Sequence, residues 1–233
     1  MKKCANIAVI MAAGKGLRAG FSIPKQYQDL KGRMVLERAV DAFDSHPGID
    51  QVAIVVDPGE KDRINEIIAG NSWKKVTRIV EGGVQRFQSS QAAVKAFADR
   101  PNDNLLLHDA ARPLVSERII GDVLEALKRY VAVGVAVPVT DTLFFTGPRN
   151  DQILRVPDRN FFQRAQTPQG FRISILSKAY KYASNDPGFS ATDDCGVVKR
   201  YLPREKIFIV QGEEKNLKIT YPGDLDILAH WID

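Results

Sequence analysis

Ile7-Ala8-Val9-Ile10-Met11-Ala12-Ala13-Gly14-Lys15-Gly16-Leu17-Arg18, followed shortly by Pro24-Lys25-Gln26, decides how the rest of the chain is read. The apolar half, residues 7–12, shows no polar alternation. A strand buried on both faces looks like this, and such strands belong to parallel sheets. The second half leaves the strand through Gly14 and Gly16. Glycines at the carboxyl end of a first parallel strand let the backbone approach a ligand, and loop amides cradle phosphate oxygens. Arg18 and Lys25 add two fixed cations to that loop. Lys2-Lys3 and the apolar run also mimic a secretion signal. Asn6 leaves that apolar core barely at the minimal length, so a buried first strand is the preferred reading.

Working outward, further short Val- and Ile-rich runs recur at 52–56, 76–80, 105–108, 133–139 and 207–210. Helical stripes lie between them. One holds Leu36, Val40 and Phe43, and another Val94 and Phe97. A third holds Ile119, Val123 and Leu127, reinforced by Ile120 and Leu124, with Ser116 as its N-cap. Helical pattern returns at 173–183 and in a final helix at 223–232. The alternation predicts an α/β chain with a mostly parallel sheet and helices on both faces. After Val139 the rhythm breaks. Gly147, Pro148, Pro157 and Pro168 fall within 140–170, so an excursion is expected, a hairpin arm pairing 142–145 with 153–156. No repeat, low-complexity segment or linker divides the chain, and a single domain over 1–233 is expected, with the arm at about 140–165.

Composition narrows the ligand. With 33 Lys and Arg against 28 Asp and Glu, the net charge of +5 suits an anionic ligand but is too small and too evenly spread for nucleic acid. Hydrophobic residues at 44% and charged residues at 26% exclude a disordered or fibrous chain. No apolar run approaches the ~20 residues of a membrane span, so no membrane partner is expected. Cys4 and Cys195 make neither a disulfide framework nor a zinc-ligand spacing, which points to a reducing cytoplasm. His46, His108 and His230 are too scattered for a His-based metal site.

Gly14-x-Gly16-x-x-Ala19 loosely fits a dinucleotide fingerprint, but three features oppose that reading. Pro24 interrupts before any helix, the acidic residue expected ~20 positions on is missing, and Arg18 and Lys25 sit where such folds rely on a helix dipole. A long loop with glycines and cations suits a triphosphate better. His108-Asp109-Ala110-Ala111-Arg112-Pro113 ends the fourth strand, where open α/β sheets bind ligands. Asp109 is placed there for a metal ion or a hydroxyl, and Arg112 for an anion; the alternative is an Asp–Arg pair that fixes the turn. Glu81-Gly82-Gly83-x-x-Arg86-x-x-Ser89 either reads a base through amides, carbonyls and the Ser89 hydroxyl or is a tight turn. Thr142, Arg159, Thr167-Pro168-Gln169, Thr192-Asp193-Asp194 and Asn216–Thr220 offer the hydroxyls and cations that a polyol phosphate needs. Neither a G-x-S-x-G elbow nor a G-x-x-x-x-G-K-[ST] P-loop is present.

In this order the segments 12–18, 24–27, 81–89, 108–113, Asp141-Thr142, Asp158-Arg159, 167–169, Thr192-Asp193 and 216–224 resemble the 2-C-methyl-D-erythritol 4-phosphate cytidylyltransferase family. The resemblance implies a Rossmann-like nucleotidyltransferase fold, a homodimer built through the arm, CTP and a divalent metal such as Mg²⁺, and release of pyrophosphate. It implies that Arg18 and Lys25 stabilise the transition state on the CTP phosphates. Lys218, and Arg159 reaching from the partner subunit's arm, would position the substrate phosphate. Asp109, Arg112, Thr142, Thr167 and Thr192 resemble the methylerythritol phosphate contacts, and Ala12, Ala13, Gly14, Gly83 and Ser89 the cytidine contacts. A cytidylyltransferase for another alditol phosphate, such as ribitol 5-phosphate, would share loop, metal and fold. Phe144, where the family often carries Lys, Ser90 and Val84 depart from its usual pattern.

Overall fold

The computed structural model describes residues 4–14 and 23–232. Eleven strands and seven α-helices follow in chain order among these residues. They are β1 (Asn6–Met11), β2 (Asp29–Leu30), β3 (Arg33–Met34), α1 (Val35–Ser45), β4 (Gln51–Val56), α2 (Lys61–Ala69), β5 (Val76–Glu81), α3 (Arg86–Ala96), β6 (Asn104–Asp109) and α4 (Glu117–Leu127). The second half continues with β7 (Ala132–Pro138), β8 (Phe145–Thr146), β9 (Ile153–Arg155), β10 (Gln163–Arg172), α5 (Ile173–Ala183), α6 (Asp194–Tyr201), β11 (Ile207–Gln211) and α7 (Gly223–His230).

Seven strands make one sheet in the order β11-β7-β10-β6-β1-β4-β5. β1 sits between β6 and β4, parallel to both, and Ile7, Ala8, Val9 and Ile10 have no exposed surface. Burying each such branched side chain contributes about 1.5–3 kcal/mol, which is why the run has no polar position to spare. Alternate residues serve opposite faces. Ala8 and Ile10 pack with Leu36, Phe43, Ile64, Ile119 and Val123 from α1, α2 and α4. Ile7 and Val9 pack with Val94, Leu176, Tyr180 and Val197 from α3, α5 and α6. Ser116 caps α4, its Oγ accepting from the Ile119 N–H at 3.3 Å.

The expected α/β architecture is present, with one amendment to the arm. Its distal part is the short β8–β9 hairpin, in which Phe145 lies opposite Arg155. Gln163–Arg172, mostly within the stretch read as an excursion, is instead β10, inserted antiparallel between β6 and β7. Pro168 is one of the residues that mark the expected excursion, and Gly170 follows it. The ladder tolerates them because the register with β7 shifts between Gln166 and Gly170, so Pro168 owes no donor there. Gly170 is required by close packing: a β-carbon on it would lie 2.9 Å from both Leu127 Cδ1 and Val123 Cγ1 on α4. Two helices, α2 and α6, had no sequence expectation. α2 buries only Ile64 and Ile67, and α6 is eight residues long.

Candidate active site

The carboxyl ends of β1, β5 and β6 face the same side, and two loops meet there. Gln26, buried in the turn Lys25–Tyr27, donates through Nε2 to Ala12 O at 2.8 Å and Gly14 O at 3.0 Å, bracing the loop as it leaves β1. Among the described residues, a side chain on Gly14 would meet nothing within 4 Å. Gly82 is the opposite case. Its β-carbon would lie 2.6 Å from Ala13 Cβ and 2.7 Å from Ser89 Oγ, so only glycine lets the two loops close. The Gly83 N–H donates to Ser89 Oγ at 3.1 Å. Ala12, Ala13 and Gly14 are thereby brought against Gly82, Gly83 and Ser89 along one edge. Gly16 and Arg18 lie outside the described residues.

A cleft of about 200 Å³ opens beside this edge, lined by Arg86, Asp109, Arg112, Ala165, Gln166, Thr167, Gln169, Thr192, Asp193 and Lys218. It gathers five expected acceptor-side residues, Asp109, Arg112, Thr167, Thr192 and Lys218, from β6, the turn after it, β10, the loop before α6 and the segment before α7. Lys218 is held from both sides. On one side buried Asn216 donates to Thr167 O at 2.8 Å and accepts from Arg112 Nη1 at 2.7 Å. On the other the buried Ile219 N–H donates to Ala111 O at 2.9 Å. Lys25 reaches the same segment, its Nζ donating to Ile219 O at 2.8 Å.

Asp109 is the electrostatic centre of the cleft. Its Oδ2 accepts from Lys218 Nζ at 2.7 Å, with Arg112 Nε 3.8 Å away, and its Oδ1 lies 3.6 Å from Arg86 Nε. Burial alone would raise its pKa. Lys218, then Arg86 and Arg112, outweigh burial and hold the carboxyl well below the usual carboxylate range. Arg112 therefore pairs with Asp109, as the turn-fixing reading expects, and it also donates to the backbone carbonyls of Asn216 and Ala165. Burial pulls the Arg86 guanidinium down, but Asp194 and Asp109 outweigh it and the net shift is upward. Arg112 is shifted down by burial, only partly offset by Asp109.

His108 is fully buried, and burial pushes its imidazole down to about 4. It is neutral at pH 7, so one ring nitrogen donates and the other accepts. Arg112 O, 3.0 Å from Nε2, can only accept, which puts the proton on Nε2. Nδ1 then accepts from the Thr167 hydroxyl at 3.1 Å, and Thr167 Oγ1 accepts from the Asp109 N–H at 3.0 Å. The Thr167 hydroxyl is thereby committed as a donor and keeps only a lone pair for a ligand hydroxyl. His108 aligns the cleft and is no general base.

Thr142 and Arg159 do not line this cleft. Both are exposed on the arm, and Arg159 Nη1 donates to Thr140 O at 2.5 Å. Gln166 lines the cleft without any sequence expectation, and Arg86, Gln169 and Asp193 line it from within quoted motifs in which they were given no role of their own. The motif holding Arg86 was visible, but its partner Asp194 is 108 positions away. Among the described residues no three His, Cys, Asp or Glu side chains converge on a metal position. Asp109 has one carboxylate, already shared with three cations. It could give a metal ion at most one oxygen, so the ion's remaining ligands would have to come from phosphate oxygens and water, as those of Mg²⁺ often do.

An enzyme that joins a phosphorylated acceptor to a nucleotide must draw two anions together, and a glycine-bearing edge beside a cation-lined cleft at the sheet's carboxyl end is built for that. The class is the nucleotidyltransferases, on a Rossmann-like fold. Comparison with known proteins narrows it: residues 6–232 match the family model described as IspD, 2-C-methyl-D-erythritol 4-phosphate cytidylyltransferase, and the chain belongs to that family. It is 47% identical to the 2-C-methyl-D-erythritol 4-phosphate cytidylyltransferase of Thermobifida fusca, over 94% of this chain and 90% of that protein. It is 38% identical to the bifunctional ribulose 5-phosphate reductase/CDP-ribitol pyrophosphorylase Bcs1 of Haemophilus influenzae, over 97% of this chain and 48% of that protein. Among solved structures, 4-diphosphocytidyl-2C-methyl-D-erythritol synthase from Anaerococcus prevotii superposes with a TM-score of 0.85 at 27% identity, covering 98% and 96% of the two chains.

Proposed function

We infer that this protein transfers the cytidylyl group of CTP to 2-C-methyl-D-erythritol 4-phosphate, giving 4-diphosphocytidyl-2-C-methyl-D-erythritol and pyrophosphate. An oxygen of the acceptor's phosphate attacks the α-phosphorus of CTP. The bond from that phosphorus to the bridging oxygen breaks, and pyrophosphate leaves with the electron pair. The nucleophile is largely ionised at pH 7, its second pKa lying near ~6, so no general base is needed. That agrees with a neutral, fully committed His108. Charge neutralisation is the remaining task, and it falls to Lys218, Lys25, Arg112 and, by family resemblance, Arg18. The observation that carries this reading is the meeting of Lys25 and Lys218 on one short segment beside the Gly14 and Gly82 edge.

Mg²⁺ is proposed to arrive on the triphosphate, with Asp109 as its protein oxygen, and its chemistry there is neutralisation of phosphate charge. Dimerisation through the arm is proposed on the apolar surface that the arm exposes, including Phe145, Leu154 and Phe161. It would bring Arg159 and Thr142 to the partner's cleft. A cytoplasmic location is proposed on the two free thiols, Cys4 and Cys195. Among the described residues no helix is long and apolar enough to cross a membrane.

The test is pyrophosphate release with CTP and Mg²⁺, comparing methylerythritol 4-phosphate with ribitol 5-phosphate, the acceptor class suggested by the name of the Haemophilus influenzae relative. Turnover with the first and little with the second is expected. Signal only with ribitol 5-phosphate would reassign the acceptor. CTP should outpace UTP by roughly tenfold or more, because a buried acceptor left without the cytosine amine costs ~1–3 kcal/mol. Equal rates with CTP, UTP and ATP would show the base edge to be wrongly placed.

A further inference from the structure

Asp194 has no exposed surface, and the reaction derived above gives it no part. Its Oδ1 accepts from the Tyr180 hydroxyl at 2.6 Å and its Oδ2 from Arg86 Nη1 at 2.7 Å. Arg86 also places its Nε 3.6 Å from Asp109 Oδ1, while the other oxygen of Asp109 holds Lys218. A row of alternating charges thus runs from the core to the cleft: Asp194, Arg86, Asp109, Lys218. The inner end is fixed. Gln169 Oε1 on β10 accepts from both the Asp194 N–H at 3.1 Å and the Cys195 N–H at 3.0 Å, which locks the first turn of α6 to the sheet.

A buried ion pair is a weak source of stability, since desolvation offsets most of its attraction and apolar side chains of equal volume serve as well. Orientation is what this one provides. A guanidinium is a rigid planar fork, so fixing Nη1 on Asp194 also fixes where Nε points. The two residues further tie the walls of the cleft together. Arg86 begins α3, just after Gly82-Gly83 and its short turn, and Asp194 begins α6, directly after Thr192 and Asp193.

We propose that Arg86 is a positioning residue for the acceptor substrate, holding the Asp109 carboxylate in the orientation that presents Lys218 to the cleft, with Asp194 as its anchor. The proposal rests on the acceptor reading of this cleft. Arg86 acts through Asp109, and its loss is felt more by the acceptor, which Lys218 would hold, than by the nucleotide, whose metal ion would take most of its ligands from phosphate oxygens and water.

Arg86→Lys is the decisive variant. It keeps a counter-charge for Asp194, but one ammonium cannot span both carboxylates. The KM of acceptor and of CTP are measured separately by pyrophosphate release, together with the melting temperature. The acceptor KM should rise about tenfold or more, the effect of one lost charge-assisted contact, while the CTP KM stays within about threefold. The double variant Arg86→Gln/Asp194→Asn removes both charges at once, strands neither in the core, and should show the same split. A wild-type acceptor KM in the double variant would reduce Arg86 to a counter-ion of Asp194 and overturn the proposal. An equal rise in both KM values, or failure of both variants to fold, would overturn it too. The wild-type protein run alongside separates this failure from that of the functional reading. If it turns over neither acceptor, the assignment of the reaction is at fault, and the Arg86 variants then have no KM to split.

Discussion

The cleft and the arm treat their surfaces in opposite ways. In the cleft, charge is drawn inward and matched: Asp109 sits among Lys218, Arg86 and Arg112, and Asp194 behind Arg86. On the arm, apolar surface is turned outward and unmatched, with Leu154 60% and Phe161 85% exposed. The two cases differ in what a single chain can tolerate. A buried charge without its partner costs several kcal/mol at once, so the partners have to come from the same chain. An exposed apolar side chain costs little until something arrives to cover it. The charges of the cleft are accordingly matched within one copy, whereas the arm's apolar surface is what the proposed dimer would cover.

The largest effect that would break this contrast is on turnover. Lys218→Ala and Lys25→Ala should each lower kcat by roughly 10² or more, the scale of losing one group that stabilises developing phosphate charge. Asp109 would keep Arg86 and Arg112, so the fold should survive Lys218→Ala, with a melting temperature near that of the wild type. Turnover within threefold of wild type in either variant would mean that the cations gathered in the cleft do not carry the reaction.

The arm gives the next effect. Phe161→Asp changes an exposed side chain, so the stability of the single chain should move by no more than about 0.5 kcal/mol. Light scattering should nevertheless find half the native mass. Activity should fall by roughly tenfold as the contact proposed for Arg159, two residues away, is withdrawn. An unchanged mass would remove this part of the arm from the interface and leave its apolar surface unexplained.

The same contrast governs how far the sequence could be read. The central strand, the glycine loop and the sheet–helix alternation were legible because apolar period reports burial, and β1 was the extreme case. β10 was not, because its burial is of polar residues. Gln166 and Gln169 are buried only because Glu213 O and Asp193 stand ready to bond them, and nothing in the local sequence announces such distant partners. The site divides in the same way. Asp109, Arg112, Thr167, Thr192 and Lys218 were foreseen and converge, whereas Arg86 stood in a recognised motif and its role went unseen for want of Asp194. Thr142 and Arg159 were foreseen as site residues and lie apart on the arm, where one chain alone gives them no cleft to enter.

The smallest expected effect sharpens the cleft side of the comparison, because there one neutral group sits among the charges. Burial pushes His108 to about 4, while in the unfolded chain the imidazole titrates near its ordinary 6.5. Between these values the unfolded state takes up a proton that the folded state refuses, so stability falls as pH drops through the window. At pH 5.5 the loss relative to pH 7 should be about 1 kcal/mol, measurable by urea unfolding. His108→Gln should be less stable at pH 7, having lost its bonds to Thr167 and Arg112 O, but its stability should fall less steeply between pH 7 and pH 5. His46, whose pKa burial also lowers, would supply the slope that remains. An unchanged slope in the variant would show that the folded imidazole takes up its proton as readily as the unfolded one, and so is charged at pH 5. The Nδ1 atom could then no longer accept from Thr167, and the hydrogen-bond chain that aligns Asp109 would have to run the other way.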